Sequence, residues 1–274
     1  MMRIASLSTS LTTSLARTLR GPDEPGFQLF SGFTEPSMGT ALLDDVTAIA
    51  RASAAGQDVS PAVVMPENQV LQGSNPEDII SKIFRLHRRP LFLEFLNDQR
   101  VCDIVLSAIG QDVDCFLSQF IFKNPGAWGQ PWHQDSYYFP FEPARPIIGL
   151  WLAITEATLE NGCLHILPGS QREPVKQHIP DRREGANYGY VEIVDHDMSQ
   201  SNPCLLQAGD LMVFDSHLMH RSTDNISKGI RAAMVWHFAA AGTKDPGIKN
   251  RSGQQIKNPI NDWMPYIRQG RLLL

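Results

Sequence analysis

With 274 residues, 42% of them apolar and 19% charged, the chain can bury a sizeable core and lies outside the composition of disordered proteins. Twenty-four basic against twenty-nine acidic residues give a net charge of −5, and the basic side chains are scattered, which excludes a broad nucleic-acid-binding face. Asp, Glu or Lys breaks every long apolar run well short of a bilayer span, so no membrane span is expected.

In chain order, residues 1–22 stand apart. They carry Arg3, Arg17 and Arg20 and no acid, with Ile4, Leu7, Leu11, Leu15 and Leu19 on one helical face. Such a basic amphipathic segment is either a first surface helix or an organelle-targeting segment, mitochondrial or peroxisomal. Residues 23–274 then form a single domain. Gly26–Phe33 reads as a short strand, and Leu42–Ala54 as a helix burying Leu43, Val46, Ile49 and Ala50. Ala55–Gln72, polar with two prolines, reads as a loop. The Ser74-Asn75-Pro76-Glu77 sequence resembles a capping box and predicts a helix through about Leu86, around Lys82. A further helix is expected over Gln99–Ile109, stopped by Gly110. Cys102, Cys115, Cys163 and Cys204 lie far apart without a paired motif. The first three sit in apolar patterns, as buried thiols in a reducing compartment such as the cytoplasm.

From Cys115 onward the pattern is strand-like: Cys115–Phe122, Ile147–Ile154, Cys163–Leu167, Tyr188–Val194, Leu211–Phe214 and Ala232–Phe238, separated by Gly, Pro and Asn. Runs at such intervals predict a closed or double sheet with flanking helices, mainly β, rather than βαβ units. Pro174–Gln207, long and polar with interspersed aromatics, is expected to be an active-site cover or a long connection.

Candidate chemistry begins at Gln130-Pro131-Trp132-His133-Gln134-Asp135. On extended chain, His133 and Asp135 point to one side and can reach one ion. The third donor is expected from His220, with His217 in competition. Two imidazoles and a carboxylate leave three positions open on an octahedral Fe(II), which suits O2 chemistry with a chelating co-substrate. Arg231 opens an alternating strand from which its guanidinium can enter a sheet interior, to meet either a bound dicarboxylate or an internal acid. His178 and His196, in polar context, are expected at the surface, and His87, His165 and His237 in structural roles.

These residues resemble the phytanoyl-CoA dioxygenase family of Fe(II)/2-oxoglutarate oxygenases. The resemblance runs through His133-Gln134-Asp135-Ser136-Tyr137-Tyr138-Phe139-Pro140-Phe141, Trp151, Glu160-Asn161-Gly162-Cys163-Leu164, Leu167-Pro168-Gly169-Ser170 and Gly209-Asp210-Leu211. It continues at His220 with Ser222 and at Arg231, and so covers most of 118–238. It implies a double-stranded β-helix (a cupin-like jelly roll) with His133, Asp135 and His220 as iron ligands and Arg231 on the far carboxylate of 2-oxoglutarate. Lys82, Gln119, Trp151 and Ser222 fall where the family has further co-substrate contacts, although the family's usual residue at position 119 is apolar.

The implied activity is a dioxygenase reaction using Fe(II), 2-oxoglutarate and O2, which hydroxylates a small organic or lipid-like substrate and releases succinate and CO2. Related halogenases lack the carboxylate that Asp135 supplies, which favours hydroxylation here. The same site could desaturate, epoxidise or cyclise. From other classes, a non-catalytic jelly-roll binding protein and a zinc hydrolase are rivals, the second lacking a general base and leaving Arg231 without a role. Tyr137, Tyr138, Phe139 and Phe141 offer either an aromatic wall for substrate or ordinary core packing.

Overall fold

The computed structural model describes residues 15–70, 73–144, 146–249 and 254–274. In chain order the elements are α1 (Leu15–Arg20), β1 (Phe27–Phe30), α2 (Pro36–Ala54), β2 (Val63–Pro66), β3 (Ile80–Phe84), α3 (Pro90–Leu96), α4 (Gln99–Ile109), β4 (Val113–Lys123) and β5 (Ile147–Ala153). Then follow β6 (Leu164–Ile166), β7 (His178–Pro180), β8 (Val191–Ile193), β9 (Asn202–Cys204), β10 (Leu211–Asp215), β11 (His220–Ser222) and β12 (Arg231–Ala240). The chain closes with β13 (Ile248–Lys249), β14 (Gln255–Ile256), β15 (Met264–Arg268) and β16 (Arg271–Leu272).

Nine strands make the larger, antiparallel sheet. It runs β1-β10-β5-β12-β4, and the far edge of β4 is shared by β3, which carries β2, and by β15, which carries β16. The smaller sheet is β11-β6-β9. Segment 130–133 widens it: His133 and His220 exchange both backbone hydrogen bonds, and Ser222 N–H donates to Gln130 O. Ile193 N–H then donates to Trp132 O, which attaches the β7–β8 hairpin. The two sheets face one another, as the double sheet that the strand spacing predicts and the jelly roll that the family resemblance implies.

Alternation along β12 separates two environments. Ala232, Met234, Trp236 and Phe238 join the core under the helices, where Trp236 stacks on Phe95 of α3 with ring centroids 4.2 Å apart. Arg231, Val235 and His237 face the space between the sheets. Among the described residues the helices pack on the outer side of the large sheet, which leaves its inner side for chemistry.

Several expectations need correction. The helix predicted through Leu86 is a single 3-10 turn, Pro76–Ile79, followed by β3. The cap lies one residue beyond the expected Ser74–Glu77 pair, with Asp78 Oδ2 accepting the Asn75 N–H at 2.9 Å, but the next residues pair with β4, Lys82 opposite Ile121, and long-range pairing overrides the local start signal. The loop expected over 55–72 contains β2, which pairs with β3. His178 is buried rather than solvent-facing. Of the basic segment, residues 1–14 lie outside the described residues. Leu15 and Leu19 are fully buried, and Arg20 Nε donates to Asp215 Oδ2 at 2.9 Å, so α1 belongs to the folded body. All four cysteines are buried and free. No helix among the described residues is long and apolar enough to cross a membrane.

Candidate metal centre and co-substrate cavity

The backbone pairing of His133 with His220 places their imidazoles 4.2 Å apart, centroid to centroid. Gly129 permits this approach, since a Cβ there would lie 2.0 Å from Ser222 O. Nδ1 of His133 is 2.8 Å from Pro131 O, and Nδ1 of His220 is 2.9 Å from Leu218 O. A carbonyl only accepts, so each Nδ1 carries the proton and each Nε2 presents a lone pair inward. Asp135 opens a short 3-10 turn after the extended Gln134. Its Oδ1 lies 3.5 Å from His133 Nε2 and 3.6 Å from His220 Nε2. The three ligand atoms all fall within 4.8 Å of one another, and this is the one such group of His, Cys, Asp or Glu among the described residues.

Electrostatics favour the same set. Burial pushes the Asp135 carboxyl up, but His220, His133 and His237 together outweigh it and hold it well below the usual carboxylate range. Burial, reinforced by His133, holds His220 down to about 4 despite Asp135. A buried carboxylate facing neutral imidazole lone pairs is a donor set that fits a divalent ion. His217, the rival third donor, is engaged elsewhere, its Nδ1 bonded to Ser136 Oγ at 2.8 Å.

The triad opens into a cavity of about 720 Å³ between the sheets, within the usual range for small-molecule sites. Arg231 also lines it. Only 1% exposed, its Nε and Nη1 have no hydrogen-bond partner, so the internal salt bridge open in the sequence is not made by these atoms. Burial pulls the guanidinium down to about 10, still charged at neutral pH. Its Cζ lies 5.7 Å over the Trp151 ring. A buried, forked cation with unmet donors on a cavity wall is a seat for a carboxylate.

The family model described as "Phytanoyl-CoA dioxygenase (PhyH)" matches residues 23–233. The chain belongs to the phytanoyl-CoA dioxygenase family. It is 33% identical over 190 residues to the peroxisomal phytanoyl-CoA dioxygenase of Homo sapiens, covering 67% of this chain and 56% of the relative. To the Bos taurus enzyme it is 28% identical over 192 residues, covering 68% and 57%. The aligned region thus spans little more than half the length of these curated relatives. Among solved structures, apo EctD from S. alaskensis superposes with a TM-score of 0.64 at 19% identity, covering 94% of this chain and 89% of that one. EvdO2 from Micromonospora carbonacea var. aurantiaca, complexed with 2-oxoglutarate, gives 0.59 at 22%, covering 96% and 100%. The epimerase SnoN, in complex with Fe3+, alpha ketoglutarate and nogalamycin RO, gives 0.61 at 16%, covering 90% and 93%.

In this phytanoyl-CoA dioxygenase family member, Lys82, Gln119, Trp151 and Ser222 all line the cavity with Arg231. Lys82 does so from β3, with Nζ 3.3 Å from Gln130 Oε1 and 5.2 Å from the Tyr190 ring centroid. Ser222 Oγ accepts the Gln130 N–H at 3.0 Å. Gln119 is half-buried. Of the aromatic run, Tyr137, Tyr138 and Phe139 reach the cavity, whereas Phe141 packs against Phe116 and Trp263. Residues 187–190 cover the cavity, as expected of 174–207. Tyr138 O–H donates to Gly189 O at 2.9 Å and accepts from Gln130 Nε2 at 3.1 Å.

Two groups escaped the sequence reading. Lys123, opposite Arg231 across the strands, lines the same end of the cavity. Its Nζ donates to Trp128 O at 2.9 Å and Thr223 O at 3.0 Å; burial, with Arg231 adding, holds it well below its ordinary value. Nothing in the sequence announces that register. His237 was legible: it lies six residues beyond Arg231, on the same face of an alternating strand. His178, another departure, stacks on Tyr137 at 4.3 Å and accepts the Gln134 N–H at 3.1 Å, which pins the loop between the first two donors.

Proposed function

We propose that the chain is a non-haem Fe(II)- and 2-oxoglutarate-dependent oxygenase that hydroxylates a small organic or lipid-like substrate. The observation that carries this reading is the meeting, in one cavity, of a His–Asp–His set with converging lone pairs and a buried arginine with unmet donors.

His133 and His220 would hold iron through Nε2 and Asp135 through Oδ1. Arg231 would grip the far carboxylate of 2-oxoglutarate with two parallel hydrogen bonds. Trp151 walls that end, Lys82 adds positive charge, Lys123 braces the wall through its bonds to Trp128 O and Thr223 O, and Ser222 and Gln119 line the space between. Bound iron supplies the activation of O2, by which substrate C–H, O2 and 2-oxoglutarate become substrate C–OH, succinate and CO2. The protein's own work is to orient both reactants and keep water out. Tyr138, tied to Gly189, closes the cover, and Tyr137 and Phe139 give the substrate an apolar wall. We place the activity in the cytoplasm, because Leu15 and Leu19 are core residues and a targeting segment reaching to Arg20 would have to leave the core.

The test is succinate and CO2 formation from 2-oxoglutarate by anaerobically prepared protein reconstituted with Fe(II) and then exposed to O2. A panel of acyl thioesters, amino acids and secondary metabolites is screened for stimulation. Turnover should require iron and vanish in His133→Ala. A protein that binds iron tightly yet forms no succinate with any compound would be a binding protein, and the reading would fail.

A further inference from the structure

The metal reading leaves His237 without an assigned part. We propose, resting on that reading, that His237 is a positioning residue that restricts Asp135 to one ligating oxygen, Oδ1. His237 Nε2 lies 2.8 Å from Asp135 Oδ2. An ionised carboxylate only accepts, so Nε2 carries the proton and donates it into this bond. The other nitrogen, Nδ1, is buried without a partner, so no competing acceptor draws the ring the other way.

The support behind the bond is stiff. His237 is 1% exposed and sits mid-strand in β12, paired on one side with Leu117 and on the other with Gly149. Its ring is boxed by Phe139 at 5.0 Å, Phe116 at 6.0 Å and Phe214 at 6.3 Å between centroids. Asp135, by contrast, stands on a three-residue 3-10 turn. The strand therefore steadies the turn through the histidine.

The consequence is a count of positions. With Oδ2 engaged by His237, the oxygen facing both Nε2 atoms is Oδ1. Two nitrogens and one oxygen fill half of an octahedral set, which leaves two positions for a chelating 2-oxo acid and one for O2. A second oxygen from the same carboxylate would take one of these.

A purely structural His237, present to fill space among the phenylalanines, makes the opposite prediction for two variants. His237→Phe keeps the aromatic packing and loses the donor; His237→Gln loses the ring but keeps an N–H at the reach of Nε2. The probe is Co(II), added to metal-free protein in competition with a chromophoric chelator, with the visible Co(II) spectrum recorded alongside. For a positioning residue, His237→Phe should fold but bind Co(II) ~10–100-fold more weakly, as loss of such a partner typically does, with an altered spectrum. His237→Gln should stay close to wild type. His237→Leu, a second variant without a donor, carries the same expectation as His237→Phe should the latter not fold. Wild-type affinity and spectrum in His237→Phe, or an equal loss in His237→Gln, overturns the proposal. Equal Co(II) binding by wild type and His133→Ala overturns the metal reading itself, a result distinguishable from the other two.

Discussion

Arg231 offers a test in which stability and binding move in opposite directions. Burial lowers its guanidinium from its ordinary range to about 10. At ~1.36 kcal/mol per tenfold change in proton affinity, that drop makes the charged form cost the folded, ligand-free protein ~3 kcal/mol. The sign is that of a depressed base: the cost is fully present below the folded value and fades only as pH rises from about 10 toward the ordinary one. Arg231→Met should therefore raise the stability of the ligand-free protein at neutral pH by up to ~3 kcal/mol, or several degrees in Tm at roughly 2–4 °C per kcal/mol. The same change removes two hydrogen bonds to a charged group, worth ~1.5–3 kcal/mol each. 2-Oxoglutarate affinity should fall ~100-fold to ~10,000-fold. Arg231→Lys keeps the charge without the fork and should fall between the two. Thermal unfolding with and without 2-oxoglutarate reads the first effect, and calorimetric titration of the anaerobic Fe(II) protein reads the second. A variant no more stable than wild type that still binds 2-oxoglutarate normally would refute both the buried cost and the carboxylate seat.

His133→Ala, Asp135→Ala and His220→Ala should each abolish Fe(II) binding, measured by equilibrium dialysis, whereas His217→Ala should retain it because its ring is bonded to Ser136; the reverse pattern at 217 and 220 would reassign the third donor. On acidification, His220 stays neutral down to about 4 while the unfolded chain protonates near 6.5. Its contribution is whole above about 6.5 and drains between there and about 4, so urea midpoints should show a loss of ~2 kcal/mol from this group at pH 5, and His220→Ala should lack that part of the slope. Gly129→Ala drives a methyl to 2.0 Å from Ser222 O, backbone against backbone. A cost of ~1–3 kcal/mol in urea denaturation is expected, with weaker Co(II) binding because the His133–His220 pairing is displaced.

Much of this architecture is written in short-range pattern. Short apolar runs bounded by turn residues mark β5, β10 and β12, and α4 runs between the bounds that its flanking residues dictate, Asp98 accepting from Arg100 N and Gly110 at φ 131°. Where pairing partners are distant the pattern misleads. The start signal at Asn75 is genuine but governs one turn, because β4 claims the residues that follow. Buried His178 looks polar locally, since its burial depends on Tyr137, forty-one residues away. In the site, the spacing of His133 and Asp135 is readable without coordinates. The choice between His217 and His220 is made by backbone pairing of the latter with His133, which no local pattern contains.

The six-residue interval from Arg231 to His237 makes β12 a ruler. At ~3.3 Å per residue it fixes ~20 Å between the two anchors. Inserting or deleting one residue between them would turn one anchor out of the cavity, and a two-residue change would move it by ~7 Å. β12 is also held on both sides, by β4 and β5. The Arg231 end of the cavity is thus closed to gradual change. Residues 187–190 and 258–260, which line the cavity from connecting segments, carry no such restriction. A lineage, or an engineer, altering which molecule the cavity takes has to work there, and can do so without disturbing the strand.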